Sequence, residues 1–394
     1  MKKFTALLLS LVMCMALAAC GSKEETNTVK AGFICLHDEN STYDLNFINA
    51  AKAACEQLGV ECVIKTNIPE GQECYDAAAE LVDDGCSYVF ADSFGHEDYM
   101  IQAAKEFADV EFCHATGTRA HTEGLDNYHN AFASIYNGRY LAGVAAGMKL
   151  NEMINNGTIT ADQAKMGYVG AYTYAEVISG YTSFFLGARS VCPSATMEVT
   201  FTGSWYDEIA EKEGATNLIN NGCVLISQHA DSMGAPNACE TAGVPNVSYN
   251  GSTATACPNT YIVASRIDWT PYFVYSIGAV IDGKSFDTDW CGGLEEGSVV
   301  LTEVNTAVAA PGTVEALETA KAELIAGTRH VFDVTTFTVN GAQLETFAPG
   351  EATDGTYDAD TVIIYDGYLH ESDYRSAPYL DITIDGISLL DTRF

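Results

Sequence analysis

The sequence predicts an α/β protein made of two doubly wound lobes, each a parallel sheet between helices, followed by a β-rich C-terminal extension. Two observations predict the lobes: short apolar runs alternate with helical patterns, and this alternation stops at a polar stretch over 151–162 and then restarts. A third observation predicts the extension, because helical periodicity disappears after residue 328. The length of 394 residues suits about two domains of ordinary size.

The first lobe begins with an apolar run at 29–36. The next segment, 44–58, carries apolar side chains at helical spacing up to Gly59, a residue typical of helix C-termini. Further strands are predicted at 60–64, 88–91 and 110–115, with helices at 74–82, 99–107 and 140–150. Small residues dominate the last helix, which indicates close packing against a neighbour.

The second lobe repeats the alternation. Its predicted strands are 166–171, 197–201, 224–227, 247–249 and 261–265, and its predicted helices are 176–188, 208–219 and 271–281. Strands separated by helices of this length indicate a second parallel sheet with helices on both faces.

The extension has the pattern of hairpins. Segments 332–339, 360–365 and 380–384 alternate with Asn-Gly or Asp-Gly pairs at 340–341, 354–355 and 366–367. Such pairs favour the tight turns that join antiparallel strands.

Composition and charge exclude several classes of protein. The chain has 53 Asp and Glu against 19 Lys and Arg, a formal charge of −34. It therefore offers no basic surface for the phosphates of nucleic acid or for anionic lipid. The apolar fraction of 47% excludes a disordered chain.

The N-terminus has the pattern of an export signal. Lys2 and Lys3 precede an apolar stretch that is too short to span a bilayer, and Leu17-Ala18-Ala19-Cys20 resembles a bacterial lipobox. We expect residues 1–19 to be removed, Cys20 to carry lipid, and residues 20–30 to form the anchor and tether. The protein is then extracytoplasmic and held at the cell membrane through lipid alone.

The cysteines indicate neither redox chemistry nor a metal site. Without Cys14 of the signal and Cys20, eleven remain, an odd number that leaves at least one thiol unpaired. Cys35 and Cys113 lie in apolar runs and are expected to be small buried residues. The chain has no CxxC pair and no Cys/His spacing typical of zinc, so neither metal nor cofactor is predicted.

Common enzyme motifs are absent. The chain has no GxSxG, no HExxH and no GxGxxG opening the first helix. Asp38, Glu39 and Asp92 could form the paired carboxylates of a hydrolase, but their spacing does not favour that role over binding. We therefore predict a binding protein with no catalytic residues.

Residues that follow the predicted strands are the candidates for ligand binding, because doubly wound sheets bind ligands beyond the carboxyl ends of their strands. These segments mix aromatic rings, which stack on flat ligands, with groups that accept hydrogen bonds. Such acceptors would repel phosphate, which favours a nucleoside or base over a nucleotide. The candidates for stacking are Tyr43, Phe94, Tyr174 and Trp205, and those for hydrogen bonding are Asp38, Asp92, Ser93, Asp231, Asn250 and Asp268.

Each candidate also has a structural alternative. An Asp or Ser ahead of a helix commonly caps it, which applies to Asp44 and Ser93. A Trp such as Trp205 commonly packs in a core. The prediction of a site therefore depends on the whole set at one edge.

Four stretches of the chain resemble the basic-membrane-protein family, the substrate-binding lipoproteins of ABC importers that include purine nucleoside receptors. The resemblance covers about three quarters of the chain, from residue 31 to about 332. Its motifs are VFADSFG at 89–95, HATG at 114–117 with GRYLAG at 138–143, LGARS at 186–190, and QHADS at 228–232 with WCGG at 290–293.

The resemblance implies the arrangement of type I periplasmic binding proteins, in which hinge crossings join two Rossmann-like lobes. Lobe 1 would comprise 31–150, completed by part of 262–300, and lobe 2 would comprise 151–261, completed by part of 300–327. The extension, 328–394, has no clear counterpart in the family.

The resemblance also implies a function, the capture of a purine nucleoside or base by closure of the lobes. Asp268 matches the acidic residue that holds ribose, whereas Thr116 stands where some nucleoside binders have another Asp, which leaves a free base open. The implied partner is an ABC permease in the membrane, and we expect a monomer.

Three other functions stay open. The same fold could bind another small solute, such as a sugar or an amino acid, although an amino acid would need an Arg facing its carboxylate and few Arg occur on the candidate loops. The protein could be a sensor for a membrane receptor, or an exported nucleoside hydrolase.

Overall fold

The computed structural model describes residues 29–347, 362–391 and 393. The predicted signal peptide, Cys20 and the tether as far as residue 28 lie outside these residues, as does the Asp-Gly pair at 354–355. Within the described ranges, no helix combines the length and the apolar character needed to cross a membrane.

Strands and helices alternate along the described chain, as predicted. The strands are β1 (Lys30–Ile34), β2 (Glu61–Lys65), β3 (Tyr88–Ala91), β4 (Glu111–Ala115), β5 (Tyr128–Ala133), β6 (Lys165–Gly170), β7 (Thr196–Phe201), β8 (Leu225–His229), β9 (Asn246–Tyr249), β10 (Tyr261–Ile267), β11 (Asp289–Gly292), β12 (Val299–Leu301), β13 (Ile364–Tyr365), β14 (Tyr368–Leu369) and β15 (Ile387–Leu389). The helices are α1 (Thr42–Leu58), α2 (Gln72–Asp83), α3 (Glu97–Glu106), α4 (Ala120–Glu123), α5 (Ile135–Asn155), α6 (Ala175–Val191), α7 (Glu208–Asn220), α8 (Gly234–Ala242), α9 (Thr270–Asp282) and α10 (Thr313–Ile325).

The first sheet has six parallel strands in the order β11-β5-β4-β3-β1-β2. Helix α1 connects its first two strands and begins at Thr42 rather than at Asp44, because Ser41 caps it by accepting a hydrogen bond from the Asp44 N–H. The helix ends at Gly59 in the left-handed conformation, as the sequence predicts.

The second sheet has seven strands in the order β12-β10-β9-β8-β6-β7-β15. Strand β12 runs antiparallel to β10, and the other neighbours are parallel. The two sheets with their helices confirm the predicted α/β class. Their strands end at facing edges, so the segments that follow the strands meet between the lobes.

The chain passes between the sheets three times. It leaves the first sheet after β5 and returns to it between β10 and β11, since α9 packs on α1. It passes to the second sheet again between β11 and β12. The helix that follows the first crossing, α5, packs on α6, β10 and α10, so the sequence-based boundary at residue 150 lies inside a helix of the second lobe.

Helices α5 and α6 cross with their backbones in contact. A Cβ atom built on Gly143 would lie 1.9 Å from the carbonyl oxygen of Phe184, and one on Gly187 would lie 2.0 Å from that of Tyr140. The predicted close packing of a small-residue helix is therefore observed.

The C-terminal extension packs against both sheets. Strand β15 adds to the edge of the second sheet beside β7, and the Ser376 N–H donates a 2.7 Å hydrogen bond to Asp289 of the first sheet. The extension also buries side chains almost completely, among them Glu371, Ser376, Tyr379, Leu380 and Ile384. It therefore contacts both lobes.

Two of the three predicted turns of the extension are confirmed, but most of its predicted strands are not. Both residues of Asn340-Gly341 and of Asp366-Gly367 have positive φ, as the predicted tight turns require. Segment 332–339 is not a strand because it turns at Asp333, whose carbonyl accepts the Thr336 N–H. Segment 380–384 is not a strand either, since the Leu380 N–H bonds the Glu371 carboxyl.

All eleven cysteines of the described residues are unpaired thiols. Cys35 and Cys113 are fully buried, as predicted.

Candidate functional site

A cavity lies between the facing strand ends of the two sheets. Its volume is about 370 Å³, a figure that includes its openings to solvent. The lining residues come from both lobes and are Leu36, His37, Tyr43, Asp44, Ser93, Phe94, Thr116, Glu176, Trp205, His229, Asp231, Tyr249 and Asn250.

Tyr43 presents an aromatic ring from the first turn of α1. Its hydroxyl donates a 2.7 Å hydrogen bond to the carbonyl of Asp92, and its ring packs edge-on against Phe47 with centroids 4.9 Å apart. These contacts hold the Tyr43 side chain in place at the cavity, which it lines.

Two buried carboxyl groups lie on the same side of the cavity: Asp44 lines it, and Asp92 lies behind Tyr43. Burial opposes the ionisation of Asp44, but hydrogen bonds from His37 and Ser41 outweigh it and lower the pKa of Asp44. Burial, together with the nearby Asp44 carboxylate, raises the pKa of Asp92 well above its usual value. The pair therefore favours one ionised and one protonated carboxyl group.

Aromatic side chains meet across the two lobes. The ring of Phe94 stacks on that of Tyr174 with centroids 5.2 Å apart, and Tyr174 stacks on Tyr172 at 4.9 Å. Trp205 packs edge-on against Tyr172 at 5.1 Å. This cluster forms an aromatic wall at the cavity.

Asp231 and Asn250 form the polar part of the second-lobe wall. The Asn250 Nδ2 donates a 3.0 Å hydrogen bond to Asp231 Oδ1. Burial and the Asp44 carboxylate across the cavity raise the pKa of Asp231 well above its usual value. Asp231 can therefore act as a donor as well as an acceptor toward a ligand.

Residues at the start of α1 donate hydrogen bonds to the backbone carbonyls of Asp231 and Asn250. The Thr42 N–H and Oγ1 donate to the Asp231 carbonyl at 3.3 and 3.2 Å, and the Asn46 Nδ2 donates to the Asn250 carbonyl at 2.8 Å. A helix of the first lobe thus contacts strand ends of the second lobe directly beside the cavity.

A further acid and base, Glu176 and His229, complete the second-lobe wall. Glu176 Oε1 lies 3.3 Å from His229 Nε2, and burial lowers the pKa of His229. Behind them, Arg139 is fully buried, with its guanidinium carbon 4.5 Å from the centre of the Tyr249 ring. Of the described residues that line the cavity, none is Lys or Arg.

Six of the ten predicted ligand-binding residues line the cavity, and two more lie directly beside it. The six are Tyr43, Ser93, Phe94, Trp205, Asp231 and Asn250. Tyr174 belongs to the aromatic wall, and Asp92 is buried behind Tyr43.

The remaining two predicted residues, Asp38 and Asp268, are not brought to the cavity. Asp38 accepts hydrogen bonds from the backbone and side-chain nitrogens of Asn40 within its own loop. Asp268 accepts from the Thr270 N–H at the start of α9 and from Arg266. Both carboxylates therefore have local structural partners.

Several lining residues were not predicted as ligand-binding residues. They are Leu36, His37, Asp44, Thr116, Glu176, His229 and Tyr249. All lie at or just beyond strand ends or in the first turn of the next helix, which is the signal that could have found them. The sequence offers Asp44 as a candidate cap of α1, but the structure shows that Ser41 is the cap.

The cavity therefore combines aromatic rings with hydrogen-bonding oxygens and lacks a lining cation. It suits a flat, uncharged or cationic ligand that is rich in donors. A phosphate group would meet carboxylates there without a compensating Lys or Arg.

Comparison with known proteins agrees with this geometry. The profile of the family described as PnrA-like ABC transporter substrate-binding proteins (Bmp) matches residues 37–326. A purine-binding protein of Brucella abortus (strain 2308) is 32% identical over 288 residues, which cover 71% of this chain and 77% of that protein. A candidate ABC transporter glucose-binding protein of Haloferax volcanii is 35% identical over 216 residues, which cover 55% of this chain and 51% of that protein.

Solved structures share the fold. An ABC transporter solute-binding protein from Conexibacter woesei superposes with a TM-score of 0.61 at 20% identity, over 77% of this chain and 98% of that one. One from Aeropyrum pernix gives a TM-score of 0.63 at 17% identity, over 76% and 92%. With the family profile and the relative from Brucella, these findings lead to one conclusion: the chain belongs to the PnrA-like family of ABC transporter substrate-binding proteins.

Proposed function

We propose that the protein captures a purine nucleoside or purine base between its lobes and delivers it to an ABC permease. The observation that carries this proposal is a cavity with aromatic rings and carboxyl groups from both lobes and no lining Lys or Arg among the described residues. A purine offers a flat face to stack and ring or amino N–H groups to donate. The name of the relative from Brucella supports the same ligand class.

Binding would be coupled to movement of the lobes. A ligand that contacts Tyr43 from one lobe and Asp231 from the other favours the closed arrangement by its differential affinity. The permease would recognise that arrangement. We further propose that lipid on Cys20 anchors the protein outside the cytoplasm and that it acts as a monomer.

A sugar is the second candidate ligand. The relative from Haloferax carries a glucose-binding name, and sugars also use aromatic faces and carboxylate acceptors. A purine would stack its aromatic base on the rings of the site, whereas a sugar would place its apolar face there. A binding test with both ligands distinguishes the two proposals.

We expect purine nucleosides or bases to raise the melting temperature of the protein. A ligand present at 100 times its Kd and bound only to the folded state stabilises it by about 2.7 kcal/mol. The protein without its signal and lipid, unfolded and refolded to remove carried ligand, is heated with nucleosides, bases, sugars and amino acids. A shift with glucose and with no purine would reject the purine proposal, and recovery of a hydrolysed nucleoside would reveal an enzyme.

We expect Asp231→Ala to weaken purine binding by about 1–3 kcal/mol, because a buried ligand donor then loses its partner. Asp268→Ala tests the residue that the family resemblance assigns to ligand binding. Since Asp268 bonds Thr270 and Arg266 instead, its loss should lower stability more than affinity. Titration calorimetry measures both affinities and thermal melts check folding. A larger loss of affinity in Asp268→Ala would return that residue to the site.

A further inference from the structure

Three acidic groups meet beneath the cavity on the first-lobe side. They are Cys35 after β1, Asp44 in the first turn of α1, and Asp92 after β3. One potential ligand atom from each lies within 4.8 Å of the others, and each residue is at most 1% exposed. The cluster has no sequence signature because it is made by the fold: β1 and β3 are neighbours, with Ile34 paired to Ala91, so the residues after them lie side by side.

Neighbouring groups hold both carboxyl groups in fixed orientations. The Leu36 N–H donates to Asp92 Oδ1 at 3.1 Å, and the His37 N–H donates to Asp44 Oδ1 at 2.8 Å. Asp44 Oδ2 accepts a 2.6 Å hydrogen bond from the Ser41 hydroxyl. Outer contacts of this kind orient the ligands of metal sites.

One oxygen of the cluster lacks a backbone or basic partner. Asp92 Oδ2 is buried and, among the described residues, no backbone or basic group donates to it; the side chains that neighbour the Asp92 carboxyl are those of Cys35 and Asp44. A buried carboxyl oxygen whose neighbours are only a thiol and another carboxyl group is costly unless a proton or a cation lies between them. The other oxygen of this side chain, Asp92 Oδ1, accepts the hydrogen bond from the Leu36 N–H.

The cluster also lacks a positive charge. Among the described residues, no Lys or Arg forms a hydrogen bond or ion pair with these three groups, and the His37 Nδ1 lies 3.4 Å from Asp44 Oδ2. Two carboxyl groups and a thiol in one buried space need protons or a cation to balance them.

We propose that Cys35, Asp44 and Asp92 bind a divalent metal ion of the zinc type. A thiolate selects such ions over magnesium and calcium, and zinc accepts sulfur, carboxylate and imidazole ligands in a tetrahedral arrangement. Three protein ligands leave a fourth position, which His37 or the captured solute can take, because His37 and Asp44 line the cavity. Binding releases the thiol proton as the metal–sulfur bond forms.

The test is the uptake of Co²⁺ and Zn²⁺ by reduced protein from which chelator has removed bound metal. We expect one equivalent of Co²⁺ to give the absorption band of a cobalt–thiolate bond, and Zn²⁺ to displace it. Cys35→Ser should abolish the band, and Asp92→Asn should weaken Zn²⁺ binding by at least about 100-fold, since even outer-shell losses cost 10- to 100-fold. Cys113→Ser is the matched control, a buried strand cysteine outside the cluster, and should keep the band.

Three results would overturn the proposal. If no metal is taken up, the three groups are balanced by protons instead. If the band survives in Cys35→Ser, or if Zn²⁺ binds Asp92→Asn as tightly as the unmodified protein, the metal sits on other cysteines. Asp92→Asn keeps the shape of the side chain and serves if Cys35→Ser does not fold. The solute panel, run in chelator, tests the proposed function separately.

Discussion

Gly143→Ala should destabilise the protein by at least about 3 kcal/mol, the upper end of the usual cost of overpacking. The added methyl group would lie 1.9 Å from the carbonyl oxygen of Phe184 and 3.0 Å from the nitrogen of Ala188. Both are backbone atoms of α6, so no side-chain rotation can relieve the clash and the helices must move apart. Urea unfolding followed by circular dichroism measures the loss.

Gly278→Ala is the matched control. Gly278 also lies inside a helix, α9, but a Cβ there would have no atom within 4 Å. Alanine is favoured over glycine in a helix by about 1 kcal/mol, so this variant should be slightly more stable. Equal stabilities of the two variants would show that α5 and α6 are not in backbone contact.

The contact matters for function because α5 follows a crossing between the lobes. It begins at Ile135, directly after β5 of the first sheet, and packs within the second lobe. A displaced α5 would move the segment that joins the lobes. We therefore expect Gly143→Ala to weaken solute binding as well, although no atom of Gly143 lines the cavity.

The fold was predictable because its signals are local. The helix at 44–58 has apolar spacing and a C-terminal Gly, and the structure differs only by the Ser41 cap. The place where the chain changes lobes was harder, since the polar break at 151–162 is only the end of α5 and the loop after it. The strands predicted at 332–339 and 380–384 of the extension do not form. Alternation of apolar and polar residues leads to a strand only where a neighbouring strand offers backbone hydrogen-bonding groups.

The edge that carries the site was predictable, but the individual acids were not. Parallel topology places all strand ends together, so Asp92, Asp231 and Asn250 could be selected from their positions alone. Whether Asp38 or Asp44 points inward depends on how Ser41 caps α1, a detail of a few residues. The grouping of Cys35 with Asp44 and Asp92 requires the pairing of β1 with β3, which periodicity cannot give.

Glu371→Gln should remove a large pH dependence of stability from the extension. Glu371 is 1% exposed, and burial raises its pKa to about 8 from a usual value of 4.5, although Arg375 and hydrogen bonds from Ser179 and Leu380 oppose the shift. Between these two values the folded state keeps a proton that the unfolded chain releases. The free energy of unfolding therefore falls as pH rises, by about 1.4 kcal/mol per unit from this group.

The comparison of variants isolates this group from other buried acids, such as Glu211, whose pKa burial raises to about 7. Gln cannot ionise, so the stability of Glu371→Gln relative to the unmodified protein should increase from pH 5 to pH 8. Glu345→Gln, at an exposed position of the same extension, should show no such trend. Urea unfolding at several pH values gives all three curves. Parallel curves for Glu371→Gln and the unmodified protein would mean that the extension does not bury Glu371 against the lobes.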